Sequence, residues 1–270
     1  MSRCVIKGLK IGDGAPVRLM GVINCSPESF YLGSYTPAEA VYTRACAMTE
    51  DGAEIIDLGA RSTAPGAPPL STKDESDRMD RALSELDGSG IRVSVDTIHA
   101  SVLETCLRHE VAAINDISGL SNPEYARLVA DFGLPAFLMA SSLAPGDALT
   151  LQDTHRALSQ VVARCLASGI PEYVLDPGIG LWRSERTPAL DWEICRNFQD
   201  FTRYDRPLLA AISRKTFLGD VVEKPPEGRF FASLALSALL VERGADVVRT
   251  HDVAGTLDAV RVGEVLRRGQ

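Results

Sequence analysis

The sequence predicts a single-domain protein of the α/β class, a closed (β/α)8 barrel. Three observations carry that expectation. Short apolar runs alternate with amphipathic stretches in eight β-α units at roughly 30-residue intervals. The runs are apolar almost throughout, as strands covered on both faces are. Each run stops abruptly at polar residues or at Gly, Pro and Ser. An open, doubly wound sheet would call for Gly-x-Gly-x-x-Gly after its first strand, and Gly21-Val22-Ile23-Asn24 is not that pattern.

Taken in order, residues 5–11 are apolar and β-branched and precede the turn Gly12-Asp13-Gly14, which marks about residues 1–16 as a short strand pair or plug. Residues 17–23 are a core strand ending at Asn24, followed by a polar loop over 25–34. Thr36-Pro37-Ala38-Glu39 carries a capping-box signature with Pro at the first helical position, so a helix is expected to about Asp51. A strand over 54–58, containing Asp57, ends in a small-residue loop over 59–67. A helix starting at Ser71 ends by Gly88. Strands follow at 91–95 (ending Asp96-Thr97), 111–114 (Asn115-Asp116), 135–139, 172–175 (Asp176) and 207–212 (Ser213-Arg214-Lys215). The last strand, 246–248, runs into Arg249-Thr250-His251-Asp252. Helices are expected at about 100–109, 123–131, 152–168, 188–201, 226–243 and 256–266; Leu234, Leu236, Leu239 and Leu240 show the three- and four-residue spacing of a buried helix face.

Composition narrows the function classes. The chain has 270 residues, 45% of them hydrophobic and 24% charged, ordinary values for a globular protein. No apolar run approaches the ~18 residues of a membrane span, and the N-terminus lacks a signal-peptide core, so a cytoplasmic location is expected. A net charge of −8 argues against a nucleic-acid-binding surface. Six Cys without a Cys-x-x-Cys pair read as free thiols; Cys25, in a site loop, reads as a packing residue because no base lies near it.

In a barrel all strand C-termini open on one face, where the chemistry sits. Gathered there would be Asn24, Arg61-Ser62-Thr63, Asp96, Asn115, Asp176, Ser213-Arg214-Lys215, Arg249 and His251. Two carboxylates and an amide suit a flat, nitrogen-rich ring, because carboxylates accept N–H bonds and an amide both donates and accepts. Lys215 can donate to a ring nitrogen or carbonyl. Arg249, His251, Asn24 and Arg61 suit an anionic group such as phosphate, and an Asn beside a diphosphate can help hold a magnesium ion. No three-ligand His/Cys cluster supports zinc.

The motifs Asn24-Cys25-Ser26-Pro27-Glu28-Ser29-Phe30, Ser62-Thr63-Ala64-Pro65-Gly66, Val95-Asp96-Thr97, Ile114-Asn115-Asp116, Leu175-Asp176-Pro177-Gly178-Ile179-Gly180, Ser213-Arg214-Lys215 and Arg249-Thr250-His251-Asp252 resemble, in order, those of the dihydropteroate synthase family. The likeness runs from about residue 18 to 262. It implies that 1–270 is a pterin-binding barrel, that the protein is a homodimer, and that it joins 6-hydroxymethyl-7,8-dihydropterin diphosphate to p-aminobenzoate with Mg2+, releasing diphosphate. By this resemblance Asp96, Asn115, Asp176 and Lys215 hold the pterin. Asn24, Arg249 and His251 hold the diphosphate and its metal, with Asn24 the metal ligand; Arg61, as a cation at a strand end, adds a further anion contact from the residue reading alone. Phe30, Thr63, Pro65 and Ser213 shape the arylamine site, the first two loops closing over it. Asp96, Lys215, Arg249 and His251 carry the catalytic roles, and no protein nucleophile is required.

Three departures stand out. The family's second loop reads Glu-Ser-Thr-Arg-Pro-Gly; here Arg61 replaces the Glu and Ala64 the Arg. Strand five ends Leu138-Met139-Ala140 where the family has Leu-Met-His. The segment after it lacks the family's Gly-x-Pro-x-x-Met-Gln run. These features resemble the synthases of methanopterin assembly, whose amine carries a phosphorylated sugar, and the missing Arg would make room for it. A pterin-dependent methyltransferase and a non-catalytic pterin-binding paralogue are the alternatives on the same barrel; Ser213-Arg214-Lys215 together with Arg249-Thr250-His251 as a diphosphate clamp favours condensation.

Overall fold

The computed structural model describes residues 2–27, 35–62 and 69–267. Eight parallel strands form the barrel: β3 (Arg18–Asn24), β4 (Ile55–Gly59), β5 (Val93–Asp96), β6 (Val111–Asp116), β7 (Ala136–Met139), β8 (Tyr173–Asp176), β9 (Leu209–Ala210) and β10 (Val247–Thr250). They are hydrogen-bonded in the order β8-β7-β6-β5-β4-β3-β10-β9. A parallel bridge between Leu175 and Leu208 joins the two ends and closes the barrel, so the expected (β/α)8 class is the observed one.

Below the barrel sits a hairpin, β1 (Arg3–Ile6) and β2 (Leu9–Gly12), paired antiparallel. Its two-residue turn, Lys7-Gly8, has positive φ at both positions, the geometry that matches strand twist. Cys4, Ile6, Leu9 and Ile11 are buried against Met20, Ile55, Phe137, Val174 and Val247, which point into the barrel. The hairpin thus stoppers the N-terminal end and leaves the opposite end to the cavity.

The helices wrap the outside: α1 (Val41–Glu50), α2 (Thr72–Ser84), α3 (Ala100–Cys106), α4 (Pro123–Asp131), α5 (Leu151–Ser168), α6 (Pro188–Arg196), α7 (Thr216–Val222), α8 (Phe230–Glu242) and α9 (Val253–Arg267). A larger core of strand and helix residues fills the layer between. Local signals set several ends. Ser71 caps α2 by accepting the Asp74 N–H, Asn122 caps α4 with Pro123 next to it, and Gly169 closes α5 in the left-handed conformation.

Two local expectations fail. The capping box at Thr36 does not form: the chain enters α1 through a 3-10 turn, Ala38–Ala40, with no side-chain cap, because the Thr36 N–H is spent on the Asn24 carbonyl. The segment after Lys215, where no element is expected before the helix at about 226, holds α7, seven residues long and buried through Phe217 and Leu218. Its short apolar pattern lacks a cap, and Lys215 starts it without a capping bond.

Candidate active site

A cavity of about 330 Å3 opens at the C-terminal end of the strands. It draws together Asn24, Arg61, Asp96, Asn115, Asp176, Ser213, Lys215, Arg249 and His251, from seven strand ends and the start of α7. Phe30, Thr63 and Pro65, together with Ala64, lie outside the described residues.

The ring-binding group is made of acceptors held in fixed orientation. Asp176 Oδ1 accepts the Gly178 N–H at 2.8 Å, which leaves its second oxygen for the cavity. The turn beyond it is stapled from below. Buried Arg186 donates to the Gly178 carbonyl at 2.9 Å and to Asp191 Oδ1 at 3.2 Å, and the same Asp191 oxygen accepts the Gly180 N–H at 2.8 Å. Gly180 has φ +134°, and a side chain there would begin 3.0 Å from Lys215 Nζ; only glycine suits both constraints. Lys215 Nζ donates to the Ile179 carbonyl and lies 4.8 Å from the centre of the Trp182 ring.

Electrostatics tune these groups. Burial, reinforced by the Asp57 carboxylate and opposed by Arg249, pushes Asp96 up to about 7. Burial raises Asp176 against the pull of Lys215. Burial lowers Lys215 to about 8, Asp176 and Asp191 opposing. Asp96 and Lys215 therefore both titrate near neutrality, as groups at reactive sites commonly do.

The anion-binding group differs from a simple cluster of cations. Arg249 donates from Nε to Asp57 Oδ2 at 2.6 Å and from Nη2 to Asp96 Oδ2 at 2.9 Å, so its charge is shared between two carboxylates. Burial and Arg249 push His251 down to about 3, which makes it neutral at pH 7. Its backbone N–H donates to Ser213 Oγ at 3.2 Å, and its Nδ1 lies 3.1 Å from the same oxygen. The Ser213 hydroxyl either donates to Nδ1 or accepts from it, according to the ring's tautomer. His251 thus faces the cavity as a neutral imidazole rather than a positive charge. Arg214 buckles these two loops together by donating two hydrogen bonds to the Asp252 carboxylate, from Nε at 2.8 Å and from Nη2 at 2.7 Å.

Arg61 lines the cavity, as its expected part as an anion contact requires, and is also tied to α2. Its Nε donates to Glu75 Oε2 and its Nη2 to the Leu70 carbonyl, both at 2.6 Å. Glu75 is buried on α2, and its other oxygen accepts the Thr97 hydroxyl at 2.7 Å. Through these two bonds Arg61 anchors the start of the second loop to α2 while forming part of the cavity wall. Asp116 is likewise structural: its two oxygens accept the N–H groups of Ser118 and Leu120, both at 2.7 Å.

Two residues of the site were missed by sequence reasoning. Asp57 reads as a mid-strand polar residue, yet it receives Arg249 and, at 2.9 Å, Asn115. Trp182 lies in a loop with no aromatic pattern to announce it. Its indole N–H donates to the Gly178 carbonyl at 2.9 Å, and its Cβ lies so close to Gly146 that a side chain there would overlap at 2.1 Å. Cys25, buried and pushed up to about 12, fits the packing role expected of it.

Comparison with known proteins agrees with this geometry. A family model described as pterin binding enzyme matches residues 20–251. The dihydropteroate synthase of Mycobacterium leprae is 33% identical over 266 residues, 92% of this chain and 93% of that protein. A probable bifunctional folylpolyglutamate synthase/dihydropteroate synthase of Halobacterium salinarum is 34% identical over 267 residues, 95% of this chain. The chain spans 32% of that larger protein's length. The solved structure of a dihydropteroate synthase from Coxiella burnetii in complex with pteroic acid superposes with a TM-score of 0.89 at 27% identity, covering 100% of both chains.

Proposed function

The chain belongs to the pterin-binding enzyme family, and from that premise we propose that it is a dihydropteroate synthase-type transferase. It condenses 6-hydroxymethyl-7,8-dihydropterin diphosphate with an arylamine in the cytoplasm. The observation that carries this reading is that one cavity is lined both by N–H acceptors (Asp96, Asn115, Asp176), with Lys215 among them, and by groups suited to an anion (Arg249, His251, Asn24).

The pterin edge lies against the acceptors and its diphosphate toward Arg249, His251 and Asn24. The amine lone pair forms the new C–N bond at the methylene carbon. The C–O bond to diphosphate breaks, its electron pair leaves with the diphosphate, and the proton of the new secondary amine passes to water. An arylamine is neutral at pH 7, so no strong base is needed. The donors at Arg249 and His251 oppose the charge that grows on the leaving oxygen, and the buried acceptors keep the ring from turning.

Magnesium fits the donor set in one way. Among the described residues no cluster of three His, Cys, Asp or Glu could cage a metal, while the Asn24 amide oxygen is a hard donor at the cavity wall. Asn24 would hold an Mg2+ ion, which prefers oxygen ligands. When bound, that ion supplies neutralisation of the leaving group.

By the family resemblance, Ser213, Phe30, Thr63 and Pro65 would serve the arylamine. Every relative named above carries dihydropteroate synthase in its name, which supports p-aminobenzoate. Ala64, standing where the family has Arg, favours a bulkier ribosylated aminobenzene as a second reading. A diphosphate-release assay with each amine separates them. Turnover with p-aminobenzoate is the expected result. Turnover with the ribosylated amine alone selects the second reading. Silence with both amines beside tight pterin binding would replace the transferase with a binding protein, and methyl transfer from a methylated pterin would replace it with a methyltransferase.

The protein is further proposed to act as a homodimer. The family resemblance implies one, and α8 and α9 leave Phe231, Leu239, Val262 and Val265 exposed on the outside of the barrel.

A further inference from the structure

Asp57 has no part in the reaction described above. It sits in the middle of β4, fully buried, between Ile56 and Leu58, which belong to the helix-facing core. Its own side chain faces the barrel axis, below the cavity and outside its lining. Oδ2 accepts two hydrogen bonds, from Arg249 Nε at 2.6 Å and from Asn115 Nδ2 at 2.9 Å. Oδ1 has no partner among the described residues. A buried carboxylate in mid-strand is a costly choice where an apolar residue would pack, and both groups that it holds belong to the site.

We infer, on the footing of the function proposed above, that Asp57 is the positioning residue of the pterin wall. It turns the Asn115 amide so that the carbonyl oxygen, and not the amino group, faces the ligand, and it lays Arg249 across the floor toward Asp96. The chemistry forces the orientation. A carboxylate can only accept, so the amide edge 2.9 Å from it must be the NH2. The Asn115 oxygen then faces the other way, toward the cavity that Asn115 lines. Asp57 thereby makes Asn115 a third acceptor beside Asp96 and Asp176. Such a wall selects a ring edge rich in N–H donors, as a 2-aminopyrimidine edge is, and rejects the same ring with a carbonyl in place of the amino group. Without Asp57 the amide is able to turn over and present its NH2, and the discrimination is lost.

The test is calorimetric affinity for a 2-amino pterin and for its 2-oxo counterpart. The wild type should prefer the amino ring. Asp57→Leu, nearly the same size but unable to accept, should weaken the amino ring on the order of ten- to hundred-fold while leaving the oxo ring unchanged or tighter. Asp57→Asn should keep the preference within about threefold, because both neighbours are donors and force its carbonyl toward them. Asn115→Ala should lose the preference, and adding Asp57→Leu to it should remove nothing more. A folded Asp57→Leu protein that keeps the wild-type preference overturns the assignment, as does a double variant whose losses multiply. Should Asp57→Leu not fold, Asp57→Asn decides, and a collapsed preference there overturns it. Wild-type protein that binds neither pterin overturns the proposed function along with it, whereas normal wild-type binding with an unaffected Asp57→Leu preference refutes this assignment alone.

Discussion

Replacing Asp176 by Asn should remove pterin binding while leaving the barrel intact. The Gly178 N–H, 2.8 Å from Oδ1, fixes which way the new amide must turn. Its oxygen stays on Gly178, and its NH2 faces the cavity in place of an acceptor oxygen. Two losses then combine at the ring. A hydrogen bond to a charged acceptor is worth about 1.5–3 kcal/mol, and a buried donor left facing another donor costs about 1–3 kcal/mol. Together these make about 2.5–6 kcal/mol, roughly two to four powers of ten in dissociation constant. The fold should not suffer, because burial already disfavours the charged form of Asp176 and a neutral amide of the same shape removes that cost. Calorimetric titration with the pterin diphosphate, beside a thermal melt, checks both halves. Unchanged affinity would refute the reasoning, and a fall in affinity matched by a large fall in melting temperature would reassign Asp176 to holding the turn.

For kcat/KM with limiting pterin, a narrow bell against pH is expected. Asp96 must be ionised to accept, so activity rises through about 7, and Lys215 must be protonated to donate, so it falls again through about 8; Lys215→Arg should flatten the alkaline limb, and an alkaline limb that stays in place would remove Lys215 from the proton count. Arg61→Ala should cost about 2–4 kcal/mol of stability by leaving buried Glu75 without its cation, read as a lower midpoint in urea. The same substitution giving an unchanged midpoint with a raised KM for the pterin diphosphate would restore Arg61 as an anion ligand. Phe231→Glu, on the exposed side of α8, should halve the mass seen by sedimentation with no loss of helical signal; a wild type that sediments as a monomer removes the homodimer.

The barrel was legible because its signals are local. An apolar run, a turn residue and an amphipathic stretch each declare themselves within a dozen residues, and repeating them eight times leaves little choice of architecture. The strand-end residues were legible for the same reason. Asn24, Asp96, Asn115 and Asp176 each end an apolar run, and a closed parallel barrel must bring such ends to one face. Where a local signal misled, a distant partner was responsible. The capping box at Thr36 gave way because its N–H bonds to Asn24, and α7 escaped notice because packing, rather than a cap, starts it.

By itself, then, the sequence determined the eightfold alternation and the set of polar groups delivered to one end of it, since both follow from patterns a few residues long. What those groups do to one another was decided in three dimensions. Asp57 meets Asn115 across 58 residues and Arg249 across 192, distances at which no pattern survives. The same holds for the neutral state of His251, which comes from burial and the field of Arg249. It holds for the pairing of Arg61, at the cavity wall, with Glu75 across 14 residues. Charge, tautomer and orientation are properties of neighbours, and only the closed barrel says which residues those are.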